Sequence, residues 1–254
     1  MNAKVAVLVF PGTNSETETH RLLGDVGLDA TIVHWSQART LAAYDAYVLP
    51  GGFAYEDRVR AGAIPAHDPM MDAVIAGASA GKLVLGICNG AQILLEAGLV
   101  PGTGSIRRPT AAFTHNGPVR KFVCRRVYIK LAIDPARCAI TSALSNDAVI
   151  PAWAAHGQGR LAAASEHLAE IAAGGYLAFW YANSDGSVDA AAVPNASALA
   201  CAGLTNRAGN VLALMPHPER DAWNFNHLDQ KTGEDVLAPS GGAVLFQSFA
   251  RALR

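Results

Sequence analysis

The stretch LGICNGAQIL (residues 85–94) sets a single cysteine between two glycines at the end of an apolar run. The run itself, Lys82–Ile87 (KLVLGI), is short and uninterrupted by charge after its lysine. That pattern predicts a strand buried on both faces, as in a parallel sheet. Asn89–Ala97 then reads as a helix. Cys88 therefore stands at a strand-to-helix bend, in the G-x-nucleophile-x-G form of a nucleophile elbow. Such a bend brings backbone segments close together, and glycine is what fits there. A side chain at its tip projects over the carboxyl edge of the sheet, where open α/β sheets place their ligands. A helix N-terminus also carries partial positive charge, which favours an anion. Taken alone, the glycines fit ordinary strand–helix packing, and a thiol is commonly a small buried apolar group. The elbow needs a base.

Met215-Pro216-His217-Pro218-Glu219 supplies a candidate. A residue before proline is pushed to extended geometry, so Met215 and His217 are both biased that way. Positions i and i+2 of an extended segment face the same side. His217 and Glu219 then point together, and the carboxylate can orient the imidazole. This is nucleophile–base–orienter logic, with Cys88 attacking, His217 moving the proton and Glu219 supporting the imidazolium. A surface turn braced by prolines would have the same sequence. A zinc-deaminase reading fails for want of a later PCxxC pair. A third piece, Leu49-Pro50-Gly51-Gly52-Phe53, follows another expected strand. Its glycines can turn a backbone N–H toward the elbow, forming an oxyanion hole with the N–H of Asn89.

Working outward, Lys4–Phe10, Ala30–Trp35 and Ala46–Pro50 read as further strands. A helix is expected after the cap candidates Thr13-Asn14-Ser15, ending near Gly24 or Gly27, and another over Pro69–Ala80. Alternating strands and helices predict β-α-β units and a parallel sheet with helices on both faces. Past residue 105 the pattern changes. Lys121–Leu131, Ala148–Ala155, Tyr176–Tyr181 and Val211–Met215 look strand-like with few helices between them, so antiparallel additions to the sheet edge are expected. Asp221–Pro239 reads as a polar loop and Gly242–Leu253 as a terminal helix. No repeat or linker interrupts the chain, which predicts one domain over residues 1–254.

The 254 residues are 51% hydrophobic and 16% charged, with a net charge of −1. That excludes a disordered chain and gives no basic surface for nucleic acid. No run approaches the ~20 apolar residues of a membrane span, and the opening MNAKVAVLVFPG is too short for a secretory signal. Four scattered cysteines with no CxxC pair read as reduced thiols in a cytoplasmic protein, with no metal site. GASAGKL (residues 77–83) is one residue short of a phosphate loop and lacks the Ser or Thr after its lysine, so no nucleotide site is expected.

Taken together, GICNG, MPHPE and LPGGF resemble the class I (triad-type) glutamine amidotransferases. More narrowly, the chain is similar to the glutaminase subunits of phosphoribosylformylglycinamidine synthases. VFPGTNSETET (9–19), PGGFAYEDRVRAGA (50–63), GLVPG (98–102), AHGQGR (155–160) and AGLTNRAGNVLALMPHPER (202–220) carry that likeness nearly end to end. The resemblance implies a flavodoxin-like open α/β sheet and a glutaminase triad of Cys88, His217 and Glu219. It implies Gly52 and Asn89 as oxyanion donors and Gln92 as a holder of the glutamine substrate. Asn116 is expected in a loop closing over the substrate's α-amino and carboxylate end. Partners are implied too: a synthetase subunit that takes the ammonia and carries ATP and magnesium, and a small assembly subunit. Three positions depart from the family pattern. Glu56 stands where glycine is usual, Gln158 where glutamate is, and PNAS (194–197) where PNGS is. A carboxylate at 56, if it lined the site, would repel the substrate carboxylate or alter docking. Two other classes stay open on the residues: a cysteine peptidase or deglycase of related fold, and a non-catalytic scaffold with Cys88 as a redox sensor.

Overall fold

The computed structural model of the protein describes residues 2–226 and 235–254. Strand β1 (Lys4–Val9) leads to helix α1 (Glu16–Asp25), then β2 (Asp29–His34) and β3 (Ala46–Leu49). Helix α2 (Pro69–Ser79), β4 (Leu83–Ile87) and α3 (Asn89–Glu96) follow. The later chain gives β5 (Ala111–His115), β6 (Val123–Leu131), β7 (Val149–His156), β8 (Gln158–Ala163), α4 (Ser165–Ala173) and β9 (Leu177–Ala182). It ends with β10 (Cys201–Thr205), β11 (Val211–Leu214) and α5 (Ala243–Ala252).

The main sheet runs β2-β1-β3-β4-β11-β10-β9-β6-β7. Its first five strands pair in parallel and the rest antiparallel. Strands β5 and β8 form a separate antiparallel pair. This is the mixed α/β sheet with antiparallel additions that the sequence predicts. Apolar β-branched runs make the parallel half: Val5, Val7, Val48, Val84, Ile87 and Val211 are all fully buried. Strand β7 alternates instead, with Ile150, Ala152, Ala154 and His156 buried and the residues between them partly exposed.

Three expectations are corrected. Val211–Met215 is not an antiparallel addition, because β11 lies parallel to β4 in mid-sheet, with Leu214 opposite Ile87. Its four residues are all buried, the mark of a strand covered on both faces. Ser15 stands at the start of α1 but makes no side-chain cap bond. Its hydroxyl instead accepts a 2.8 Å hydrogen bond from Arg220. Helix α4 and strands β5, β8 and β10 fill segments in which the sequence suggested little. GASAGKL falls at the carboxyl end of α2, where the helix dipole is negative and unsuited to phosphate. Of the expected loop Asp221–Pro239, the stretch 227–234 lies outside the described residues. The flanks are held by a bridge between Trp223 and Pro239.

Candidate active site

Register decides which loops meet. Leu49 of β3 is opposite Gly86, and Leu214 of β11 is opposite Ile87. The segments leaving β3, β4 and β11 thus emerge side by side at one edge: PGGF, the Cys88 bend and the HPE segment. The Cys88 N–H donates 2.7 Å to the Leu214 carbonyl, which pins the bend to β11.

At the bend Cys88 has φ 51° and ψ −106°, a conformation costing about 1–3 kcal/mol for a residue with a side chain. Its neighbours explain how it is held. A Cβ on Gly90 would collide with the Leu49 carbonyl, and one on Gly86 would come within 2.7 Å of the Gly90 oxygen. Both glycines are therefore fixed by close backbone approach, as the elbow reading requires. Cys88 is 5% exposed, and its sulfur lies 3.9 Å from the Ala155 carbonyl oxygen. A cleft of about 70 Å³ opens on it, walled by Gly52, Ala155, His217 and Arg220, with Phe53 and Phe122 at the rim. A larger surface hollow, about 850 Å³ between residues 35–40 and 68–73, is shallow and contains none of these groups.

His217 has φ −101° and ψ 92°, the extended geometry imposed by the following proline. Its Nδ1–H donates to Glu219 Oε1 at 2.6 Å, and both side chains are buried. The imidazole is also within hydrogen-bonding reach of the Cys88 side chain. Burial opposes charge on the ring, but the Glu219 carboxylate and the Cys88 sulfur outweigh it and push the pKa up to about 10. The site thus favours imidazolium at this position. A Cβ on Gly51 would strike the imidazole, so the first glycine of PGGF lets the ring lie against the turn.

The segment carrying His217 is bound on several sides. Its backbone exchanges hydrogen bonds of 2.8 and 3.1 Å with Trp153 of β7. Asp221, fully buried, receives Arg126 of β6 through both oxygens at 2.6 and 3.0 Å. Arg220 reaches Ser15 and Glu18 of α1.

The Gly52 and Asn89 N–H groups make no hydrogen bond among the described residues. The Asn89 side chain ties the start of α3 to the turn after PGGF. Its Oδ1 accepts from Ala54 N at 2.9 Å, and its Nδ2 donates to Asp57 and Gln92. Asp57, for which the sequence carries no functional signal, is pushed up to about 6 by burial, partly offset by that Asn89 bond. The same turn is tied to the far end of α3 by Arg60, which pairs with buried Glu96, Nε to Oε1, at 2.6 Å.

Two residues expected at the substrate, Gln92 and Asn116, make hydrogen bonds within the protein. Gln92 is buried and spends its amide on Asn89 and on the Gln158 carbonyl, bracing α3 against β8. Asn116 is buried. Its Nδ2 donates to the Lys121 and His156 carbonyls, and its Oδ1 takes Gly159 N–H and the His156 ring, so its hydrogen-bonding capacity is used internally. Glu56 is exposed and paired with Arg58 at 2.8 Å, away from the cleft. Its φ of 60° explains why glycine suits that position. His156, inside the AHGQGR motif, is buried and feels the charge on His217.

Among the described residues no group of three His, Cys, Asp or Glu side chains is placed to hold a metal ion, and no helix is long and apolar enough to cross a membrane. All four cysteines are free thiols.

The geometry can be set beside known proteins. The chain is 40% identical over 251 residues to the phosphoribosylformylglycinamidine synthase subunit PurQ of Symbiobacterium thermophilum, covering 98% of this chain and 97% of that one. It is 41% identical over 235 residues to PurQ of Moorella thermoacetica, covering 92% and 94%. In three dimensions it matches a chain of the PurLQS structure from Thermotoga maritima, with TM-score 0.77, 28% identity and all of both chains covered. The profile of CobB/CobQ-like glutamine amidotransferase domains matches residues 2–251. That span includes the elbow, the PGGF turn and the HPE segment together, and the chain belongs to this family of glutamine amidotransferases.

Proposed function

We propose that the chain is the glutaminase subunit of a phosphoribosylformylglycinamidine synthase, hydrolysing glutamine through Cys88, His217 and Glu219. The observation that carries the reading is the convergence of three distant segments on one cleft, in a chain similar end to end to PurQ proteins. The Cys88 thiolate attacks the side-chain amide carbon of glutamine. The Gly52 and Asn89 N–H groups receive the charge that develops on the oxygen. Imidazolium His217 gives its proton to the departing nitrogen, ammonia leaves, and a γ-glutamyl thioester remains. Water, deprotonated by His217, then attacks the thioester carbonyl, releasing glutamate and returning the Cys88 thiolate beside imidazolium His217. Glu219 holds the ring in the orientation both steps need and offsets its charge. Gln92 acts from behind the elbow, as a brace.

The ammonia goes to a synthetase subunit that turns the amide of formylglycinamide ribonucleotide into an amidine, as part of purine biosynthesis. ATP and magnesium belong to that subunit, and a small third subunit assembles the complex. The test uses the reconstituted complex. Cys88→Ala abolishes the glutamine-driven reaction and leaves the ammonia-driven one, which bypasses the cleft. Retention of full glutamine-driven activity would remove Cys88 from the mechanism.

A further inference from the structure

Ser15 is fully buried at the start of α1, yet its side chain does not cap the helix. Arg220 follows directly on Glu219, yet the proposed hydrolysis assigns it no step. The two residues meet. Arg220 Nη2–H donates 2.8 Å to Ser15 Oγ, and that hydroxyl donates in turn to Asn14 Oδ1 at 3.3 Å. Glu18, three residues on, takes the Arg220 Nε–H at 3.3 Å and offsets the guanidinium charge.

The backbone at Ser15 has a second task. The carbonyl of Gly51 accepts two N–H groups, from Asn14 at 3.1 Å and from Ser15 at 3.2 Å. The peptide that carries this carbonyl also carries the Gly52 N–H. In a trans peptide the C=O and N–H point in opposite directions. Anchoring the carbonyl therefore aims the Gly52 N–H away from α1. The strand-like pairing of the two segments has the same consequence. Thr13 and Gly52 form an antiparallel bridge whose bonds run from Asn14 N to Gly51 O and from Phe53 N to Gly12 O. Those bonds flank the pair instead of joining it, so the N–H of Gly52 itself faces outward. Gly52 lines the cleft together with Cys88, His217 and Arg220.

Packing closes the arrangement. A Cβ on Gly51 would strike His217 Cε1 and come within 3.1 Å of Ser15 Oγ, so the turn sits between the imidazole and the serine. A Cβ on Gly52 would come within 2.6 Å of the Gly12 carbonyl oxygen, which leaves that side of the turn no room to shift. Arg220 belongs to the short turn Pro218–Asp221 that begins at His217. One side chain thus runs from the segment bearing the base to the segment that anchors the Gly51 carbonyl.

We propose that Arg220 and Ser15 are positioning residues, a tie that keeps the oxyanion N–H of Gly52 in register with His217. Neither touches the reacting atoms. Arg220 holds Ser15, the Ser15 and Asn14 N–H groups hold the Gly51 carbonyl, and that carbonyl sets the direction of the next N–H. The tie matters most as charge develops on the amide oxygen, because a donor stabilises that charge only at about 2.7–3.1 Å. This rests on the glutaminase reading of the cleft.

The experiment uses the assembled complex with Ser15→Ala, Arg220→Met and the double variant. Glutamate formed from glutamine gives kcat and KM, and urea melts of each full-length variant chain report folding. The expected result is a fall in kcat of about 10- to 100-fold in each single variant. KM stays within about twofold, because the lost interaction belongs to the transition state. The double variant falls no further than the worse single one, since both residues act through one contact. A kcat within about twofold of the parent in Ser15→Ala overturns the proposal. Losses that multiply in the double variant also overturn it, by making the two residues independent. A raised KM with unchanged kcat in Arg220→Met overturns it as well, by placing the guanidinium on the substrate. If Arg220→Met does not fold, Ser15→Ala, which removes a single oxygen, decides alone. Cys88→Ala run alongside tests the underlying reading, which fails if that variant goes on consuming glutamine.

Discussion

The two halves of the sheet do different work. In the parallel half, β3, β4 and β11 end at one edge and release the PGGF turn, Cys88 and the HPE segment into the same space. The antiparallel half contributes no group to the proposed triad. It contributes constraint: Trp153 pairs with the His217 backbone, Arg126 holds Asp221, and Ala155 forms a wall beside the sulfur. The imidazoles show the same contrast. His217, beside a carboxylate and a sulfur, is driven up to about 10. His156, beside only polar neutral groups and another imidazole, is driven down to about 4. Similar burial gives opposite charge states because the partners differ.

The contrast can be broken most strongly at its charged member. Glu219→Gln keeps the shape of the orienting side chain but removes the carboxylate that sustains imidazolium. The glutamine-driven kcat should fall by about 10³- to 10⁴-fold, by analogy with the loss seen when a triad carboxylate becomes an amide. The ammonia-driven rate of the complex is the control. If the loss is under about tenfold, Glu219 is not the orienter. Next comes Gly90→Ala, which sets a methyl group against the Leu49 carbonyl. Forcing β3 and the elbow apart should destabilise the fold by about 2–4 kcal/mol in denaturant melts. A neutral result would mean that the elbow glycine is not held by close approach.

The third test concerns His156 and acid. Its folded pKa lies below its unfolded value, so the unfolded chain binds the extra proton. Its contribution is present above about 6.5 and is lost as pH falls toward about 4. The full effect is of order 3 kcal/mol. Urea melts from pH 7 to 4 should show this slope in the parent and a flatter one in His156→Gln. Equal slopes would mean that the ring is not held neutral. The smallest effect is expected at Glu56, whose φ of 60° suits glycine. Glu56→Gly should raise stability by up to about 1 kcal/mol, roughly 2–4 °C in Tm. A fall instead would credit the exposed Glu56–Arg58 pair with more than such pairs usually contribute.

The same division decided what the sequence could reveal. Continuous apolar runs and glycine-flanked bends are strong signals, so the parallel strands, the elbow and the HPE geometry were legible. Strand β11 was legible too, as an apolar run, but its neighbours suggested the wrong partner direction. Strands β8 (QGRLAA) and β10 (CAGLT) are rich in alanine and glycine, which carry little strand preference. Helix α4 (SEHLAEIAA) was hidden among them. The hydrogen-bond partners of Asn116 and Gln92 are not legible in the sequence. Residue type and spacing show that an amide is near the site, not which neighbours take its hydrogen bonds. Asp57 and His156 both sit inside recognisable motifs, PGGFAYEDRVRAGA and AHGQGR, yet their shifted pKa values come from burial that only the assembled fold creates.

The clasp made by Asn89 has a mechanical side. One amide grips Ala54 and Asp57, while Arg60 fastens the same exposed turn to Glu96 at the opposite end of α3. Turn and helix are thereby yoked at both ends and shift as one lever. Any displacement of the turn is thus shared with the helix that begins at Asn89, next to the Cys88 bend.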